Sequence, residues 1–312
     1  MKKRPYRFGV ATEGAPSREK WAAKARKAEE LGYSTFLVPD HFVNEFLPMV
    51  ALMSAADATS TLRLGSFVFD NDFRHPALLA KEAATLDLLS GGRLELGIGA
   101  GWHRPEYDQV GLSFDSAGVR ISRLQEALQI IKAFFVEESV TFTGKYYTVT
   151  DLKGTPKPVQ HPHPPFFMGG GGKKMLSIAA READIIGLHL KVNDDGTVHP
   201  TEQSEAALAQ KVEWIRQAAV ERFDTLELNL LVSAVKITAD RRQAAEELIR
   251  EWELANTEAE QLLQNPYLFI GSVDEITEQV QMLRERYSIS YFVVHDEYTE
   301  EFAPVVVRLA GT

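Results

Sequence analysis

Cysteine is absent from the 312 residues. That excludes a disulfide scaffold, a thiolate metal site and a cysteine nucleophile. No apolar run approaches the roughly 18 residues needed to cross a bilayer. The start, Met1-Lys2-Lys3-Arg4-Pro5-Tyr6-Arg7, is basic, but no apolar segment of signal-peptide length follows it. Positive charge is not in excess: 34 Lys and Arg face 44 Asp and Glu, a formal net charge of −10. Such a balance speaks against a nucleic-acid surface. Hydrolytic and metal signatures are missing too. There is no Gly-x-Ser-x-Gly elbow and no His-Glu-x-x-His, and His161 and His163 stand in a proline-rich stretch. The expectation is a cytoplasmic chain with no metal, no nucleic acid and no membrane contact. A hydrophobic share of 45% and a charged share of 25% are ordinary globular values.

What is present is an alternation of short apolar runs and helical patterns. Tyr6 to Ala11 reads as a strand, and Ser17 to Leu31 as a helix capped by Ser17 and stopped by Gly32. Strands follow at Thr35 to Val38, Leu62 to Phe69 and Leu94 to Gly99, with helices at Leu47 to Ala58, Pro76 to Leu89 and Val119 to Phe135. The rhythm breaks at Val140 to Val149, a hairpin around Gly144-Lys145, and at a proline-rich crossing. It resumes with strands at Pro165 to Met168, Ala183 to Leu188, Leu226 to Val235 and Tyr291 to His295, each beside helical segments. Lys191 to Thr201 is polar and is expected to be a mobile loop.

Eight strands alternating with helices predict an α/β fold, a single (β/α)8 TIM barrel over residues 1–312. The hairpin and proline-rich insertion come after strand four and its helix. An open doubly wound sheet is the competitor. It would want a phosphate fingerprint after the first strand, and Thr12-Glu13-Gly14-Ala15-Pro16 is not one.

In a barrel, chemistry sits on the loops after the strands. Strand two ends in Asp40-His41, an acid beside an imidazole. Strand three leaves through Asp70, Asn71 and Asp72, and His75 before Pro76 reads as a helix start. Strand four ends Gly97-Ile98-Gly99-Ala100-Gly101-Trp102, which fails the dinucleotide pattern at Trp102 but requires close approach to the backbone. The tryptophan can wall a flat ring or cap the core. Gly169, Gly170, Gly171 and Gly172 lead into a helix that begins with Lys173 and Lys174, an arrangement suited to a phosphate but not a P-loop.

Phe73 to Trp102, including Arg74-His75-Pro76-Ala77-Leu78-Leu79-Ala80-Lys81-Glu82 and Ser90-Gly91-Gly92-Arg93-Leu94, resembles the bacterial luciferase-like family of flavin- and deazaflavin-dependent oxidoreductases. Leu37-Val38-Pro39-Asp40-His41, the glycine run, Ala183-Asp184-Ile185-Ile186-Gly187 and Gly271 to Ile276 extend the resemblance over nearly the whole chain. Asn71 to Pro76 and the four glycines look most like the branch that uses coenzyme F420, an 8-hydroxy-5-deazaflavin. FMN binds the same barrel mouth in other members.

The resemblance implies that Asp40 and His41 are the catalytic pair beside the cofactor ring. It implies a non-prolyl cis bond at Phe67–Val68, bulging against the ring. Gly99, Ala100, Gly101 and Trp102 are implied to line the cofactor's side chain, and Gly169 to Gly172 with Lys173 its phosphate. F420-dependent glucose-6-phosphate dehydrogenases of the family carry a glutamate where Trp102 stands, so sugar-phosphate oxidation is in doubt. The implied function is hydride transfer between F420 and a small organic substrate, by a homodimer; a separate cofactor reductase is implied as a partner for the FMN-dependent alternative. The alternatives are an FMN-dependent monooxygenase and a non-catalytic flavin- or deazaflavin-binding protein.

Overall fold

The computed structural model describes residues 4–43, 46–192, 197–198, 200–254 and 257–312. Strand β1 (Arg7–Ala11) leads to helix α1 (Arg18–Glu30), whose amide at Lys20 donates to the Ser17 hydroxyl at 3.3 Å. Trp21, Ala25 and Ala28 form the buried stripe of α1, and Gly32 ends it at φ +87°. The units β2 (Thr35–Val38) with α2 (Pro48–Ala58), and β3 (Arg63–Ser66) with β4 (Phe69–Asp70) and α3 (Pro76–Leu89), follow. Next come β5 (Leu94–Gly99), α4 (Arg104–Val110) and α5 (Ala117–Val136), then the antiparallel hairpin β6 (Ser139–Thr143) and β7 (Thr148–Lys153). The second half runs β8 (Phe166–Gly170), α6 (Lys173–Glu182), β9 (Ile185–Leu188), α7 (Glu205–Ala219), β10 (Glu227–Val232) and β11 (Ala234–Ile237). It closes with α8 (Arg241–Glu251), α9 (Ala259–Leu263), β12 (Leu268–Gly271), α10 (Val273–Tyr287), β13 (Ile289–His295) and α11 (Thr299–Leu309).

Eight of these strands pair in parallel around a ring in the order β1, β2, β3, β5, β8, β9, β10, β13, and β13 returns to β1. This is the expected TIM barrel, with the hairpin inserted where it was anticipated. Strands buried on both faces need continuous apolar runs, and Tyr291 to Val294 is one. Ala11, Leu37, Phe167, Ile185, Tyr291 and Val293 fill the interior. At the N-terminal end the ring buries charge. Glu95 is shared by Arg7 and Arg63, the latter at 2.7 Å, while Arg7 also meets Glu227 at 2.7 Å. Pairing is what makes such burial tolerable.

Three expectations are corrected. The third strand is not continuous over Leu62 to Phe69: it breaks after Ser66, where the Phe67–Val68 bond is cis as the resemblance implied, and pairing with β5 resumes at Phe69↔Ile98. The seventh strand breaks at Ser233, because β11 leaves the ring to pair with β12, a strand the sequence reading missed. The short helix α4 was missed as well. Residues 193–196 and 199 of the polar loop lie outside the described residues.

The strand break explains two glycines. A Cβ at Gly97 would overlap the Ser66 carbonyl oxygen, and one at Gly99 would stand 2.8 Å from Val68. Gly97→Ala should therefore destabilise the fold by about 3 kcal/mol or more, since backbone must move. Gly118→Ala, in the first turn of α5, where a Cβ would meet only the Lys174 ammonium at an ordinary 3.9 Å, should be neutral or stabilising by up to about 1 kcal/mol. Urea unfolding of the two variants checks the pair; equal behaviour would refute the close-approach account.

Candidate active site

The C-terminal ends of the barrel strands surround a cavity of about 570 Å³. Asp40, His41, Phe67, Val68, Gly99, Ala100, Gly101, Trp102 and Gly169 to Gly172 all line it. Lys173 does not; it is exposed at the start of α6, as is Lys174. Among the described residues two other cations line the cavity, the exposed Lys191 and the buried Arg120 of α5. Arg120 donates to Ala100 O at 3.2 Å and to the Asp115 carbonyl, and its guanidinium lies 3.8 Å above the Phe114 ring.

Asp40 and His41 are neighbours in sequence but have different partners. Both Asp40 oxygens accept from Arg74, at 2.6 and 2.9 Å, and Oδ2 also accepts from the Asp70 amide at 3.0 Å. A buried carboxylate so engaged is a structural anion that fixes the loops after β2 and β4. His41 turns instead to α4, where its Nδ1 lies 2.8 Å from Glu106 Oε2. Glu106 is 1% exposed, and its other oxygen accepts from the Val43 amide at 3.3 Å. Trp102 and His103 meet the His41 ring edge-on, with centroids at 5.7 and 6.2 Å. Trp102 is 45% exposed, so it walls the cavity and does not cap the core.

Three carboxylates crowd this edge with two guanidinium groups among them. Asp40 takes Arg74, and Asp72 takes Arg123 at 2.8 Å. Asp70 is left with the Tyr107 hydroxyl, which donates at 2.7 Å, and with the Asp72 amide at 2.9 Å. Burial raises the Asp70 carboxyl to about 6, and the charges of Asp72 and Asp40 add to the effect. Gly101 has φ +73°, and a Cβ there would strike Tyr107 and Asp70, so this glycine serves the cluster beneath it.

The glycines of β8 also have separate reasons. A Cβ at Gly169 would stand 2.6 Å from the His189 ring, and one at Gly170 2.7 Å from Met175. At Gly171 the backbone of Lys191 is in the way, whereas Gly172, the N-cap of α6, faces open space. His189 lines the cavity after β9 and packs on Phe67 with ring centroids 5.4 Å apart. Burial, and then the Lys211 ammonium, lower His189 to about 4, so its imidazole is uncharged at neutral pH. Lys211 is itself buried and paired with Glu202 at 2.7 Å.

Sequence reasoning missed Arg74, Glu106, Tyr107, Arg120 and His189 as parts of the site. For Glu106 and Tyr107 a signal existed: Arg104-Pro105-Glu106 follows a strand end and has proline near a helix start. His189 directly follows an apolar strand, which is the barrel's usual address for a site residue.

The Asp70 shift has a stability consequence. Its folded value lies above the ordinary carboxylate value of 3.8. Stability from its neutral form is therefore complete below about pH 4 and is lost as pH rises through about 6. Asp70→Asn should exceed the parent in stability by about 2 kcal/mol at pH 8 and match it near pH 4. Denaturant titrations at the two pH values test this; a pH-independent difference would contradict the assignment.

The sequence profile of the luciferase-like monooxygenase family matches residues 5–305. Among curated relatives, an F420-dependent glucose-6-phosphate dehydrogenase of Kineococcus radiotolerans is 36% identical over 191 residues, 58% of this chain and 55% of that protein. An FMNH(2)-dependent dimethylsulfone monooxygenase of Pseudomonas putida is 33% identical over 109 residues, 35% of this chain and 30% of that protein. The chain spans less than two thirds of the length of the curated relatives it matches. In fold it is similar to a coenzyme F420-dependent tetrahydromethanopterin reductase from Methanopyrus kandleri, with a TM-score of 0.79 at 19% identity over 98% of both chains. With a profile match over nearly its full length, the chain belongs to the luciferase-like monooxygenase family.

Proposed function

We propose that this chain is a coenzyme F420-dependent oxidoreductase that passes hydride between the deazaflavin and a small organic substrate. The observation that carries the reading is one cavity holding both a glycine-lined helix N-terminus and a carboxylate-backed imidazole. The residues fit such a cofactor. Gly172 leaves room at the first turn of α6, where free amides attract a phosphate. Arg120 adds buried positive charge beside Ala100. When bound, a deazaflavin supplies two-electron hydride chemistry. His41 handles the accompanying proton at Nε2, the ring nitrogen that Glu106 leaves free. Trp102 and Phe67 give the cavity flat apolar walls, which favour a flatter, less polar substrate than a sugar phosphate.

An FMN-dependent monooxygenase is the second reading, supported by likeness to the dimethylsulfone enzyme over a shorter stretch than the likeness to the F420-dependent dehydrogenase. Fluorescence titration of the cofactor-free protein with F420 and with FMN separates the two. F420 is expected to bind at least about tenfold tighter, roughly 1.4 kcal/mol. Equal or tighter FMN binding would transfer the assignment to the monooxygenase.

Two variants divide anchoring from chemistry. Gly172→Asp places a carboxylate at an N-cap without a clash, so helix stability should hold or rise by up to about 1 kcal/mol. F420 affinity should nevertheless fall at least about tenfold through charge repulsion with the phosphate. Unchanged affinity would remove this loop from the cofactor site. His41→Ala should keep F420 affinity within about tenfold and lower turnover by about 10²–10⁴-fold. Near-normal turnover of His41→Phe would mean that the ring only packs.

A further inference from the structure

We infer that Glu106 is a positioning residue that holds His41 in the tautomer with its proton on Nδ1, so that Nε2 is the bare nitrogen presented to the cavity. The inference rests on the proposed proton-handling role of His41. A neutral imidazole carries one N–H and one lone pair, and an ionised carboxylate only accepts. With Glu106 Oε2 at 2.8 Å from Nδ1, that nitrogen must be the donor in the neutral and the protonated ring alike. Trp102 and His103 stand edge-on to the same ring, so its plane is held as well as its tautomer.

The ionic partnership is exclusive. Among the described residues no Lys or Arg pairs with Glu106, and His41 is its only ionic partner. Glu106 is buried and does not line the cavity, so it meets the substrate only through the imidazole. The adjacent carboxylate of Asp40 is unavailable for this task, because Arg74 occupies both its oxygens. A proton arriving at Nε2 therefore creates an imidazolium with a counter-charge already in place on its far side.

Another imidazole of the cavity has the opposite backing. His189 follows β9, which stands opposite β2 in the eight-strand ring. Burial opposes its protonation first, and the Lys211 ammonium behind it, itself paired with Glu202, adds to that. Of the three histidines among the described residues that line the cavity, His41 and His189 stand on opposite sides and are set apart by burial and by the charge behind each. The ring backed by a carboxylate is suited to carry a proton, and the ring backed by an ammonium is not.

A structural role for Glu106 competes with this account, since the same carboxylate fastens the Val43 amide. Histidine-labelled ¹⁵N NMR of the full chain, with and without F420 and at a pH where the rings are neutral, distinguishes the two. The His41 signals are assigned by their loss in His41→Asn. The parent is expected to show a protonated Nδ1 and a bare Nε2. In Glu106→Leu the ratio of the two tautomers should move toward Nε2–H by at least about tenfold, because the bond to a charged acceptor is gone. F420 affinity should change less than about threefold, since Glu106 is outside the cavity. A parent protein with Nε2 protonated overturns the inference whether or not the variant folds. So does a folded Glu106→Leu with an unaltered tautomer, which would leave only the loop-fastening role. Failure of F420 to bind would sink the proposed function and would leave the tautomer result standing on its own.

Discussion

The approach of β3 to β5 is the constraint on which the site depends. Closing eight parallel strands brings the Ser66 carbonyl to the place where a side chain of residue 97 would begin. With no Cβ there, Ser66 also donates its hydroxyl to Gly97 O at 2.7 Å, which ties the two backbones together. Strand β3 ends at this contact, and its continuation re-pairs with β5 as β4. Phe67 and Val68 are thereby turned into the cavity. Everything downstream follows: Asp70 is delivered under Gly101, and its amide reaches Asp40. The Asp40–Arg74 pair then holds the loop on which His41 stands.

Charge at this edge is distributed by geometry more than by number. Asp40 and Asp72 are neutralised by guanidinium groups, so they act as struts. Asp70 lacks such a partner and is shifted toward protonation, with Tyr107 as its hydrogen-bond donor. Glu106 lacks one too, and faces an imidazole. Of these four carboxylates, the two without a guanidinium partner face a tyrosine hydroxyl and an imidazole, while the paired ones fasten the loops. A buried anion that has an arginine contributes position; one that has a histidine contributes a response to protonation.

Most of the architecture was legible because it rests on local signals. Ser17, Gly32, Pro76 and the helix at Lys173 to Glu182 mark their boundaries through capping and backbone chemistry, and the structure puts them there. His75, read as a helix start, indeed accepts the Ala77 amide at 3.2 Å. What escaped was non-local. Nothing near Ser66 in the sequence announces that residue 97 will press on it. The break at Ser233 depends on β12, more than 30 residues further along, offering β11 an alternative partner. The site divides the same way. The strand-end rule found Asp40, His41 and the glycines, because they lie on the chain where barrels place chemistry. Partner choice was illegible: Asp40 and His41 looked like a pair because they are adjacent, yet consecutive residues leaving a strand point apart. Arg74 and Glu106, 34 and 65 positions away, are the partners the fold supplies.

The glycine runs show how one residue type can mislead and inform at once. Four glycines before α6 read as a phosphate loop, but three of them make room for the protein itself: an imidazole, a methionine and a neighbouring backbone. Only Gly172 faces open space at a helix N-terminus. The same holds at Gly97, Gly99 and Gly101, where the approaching groups are Ser66, Val68 and the Asp70–Tyr107 pair. These glycines build the floor on which a cofactor would lie, and fewer of them than the motif suggests are left to touch it. On the proposed reading, recognition would fall to groups without a motif: the open first turn of α6, the buried guanidinium of Arg120, and the rings of Phe67 and Trp102. That division explains why cofactor class is harder to read from this chain than fold. The glycine pattern reports the packing of the barrel's upper rim, which serves any ligand of the right size, and discrimination resides in side chains that periodicity does not mark.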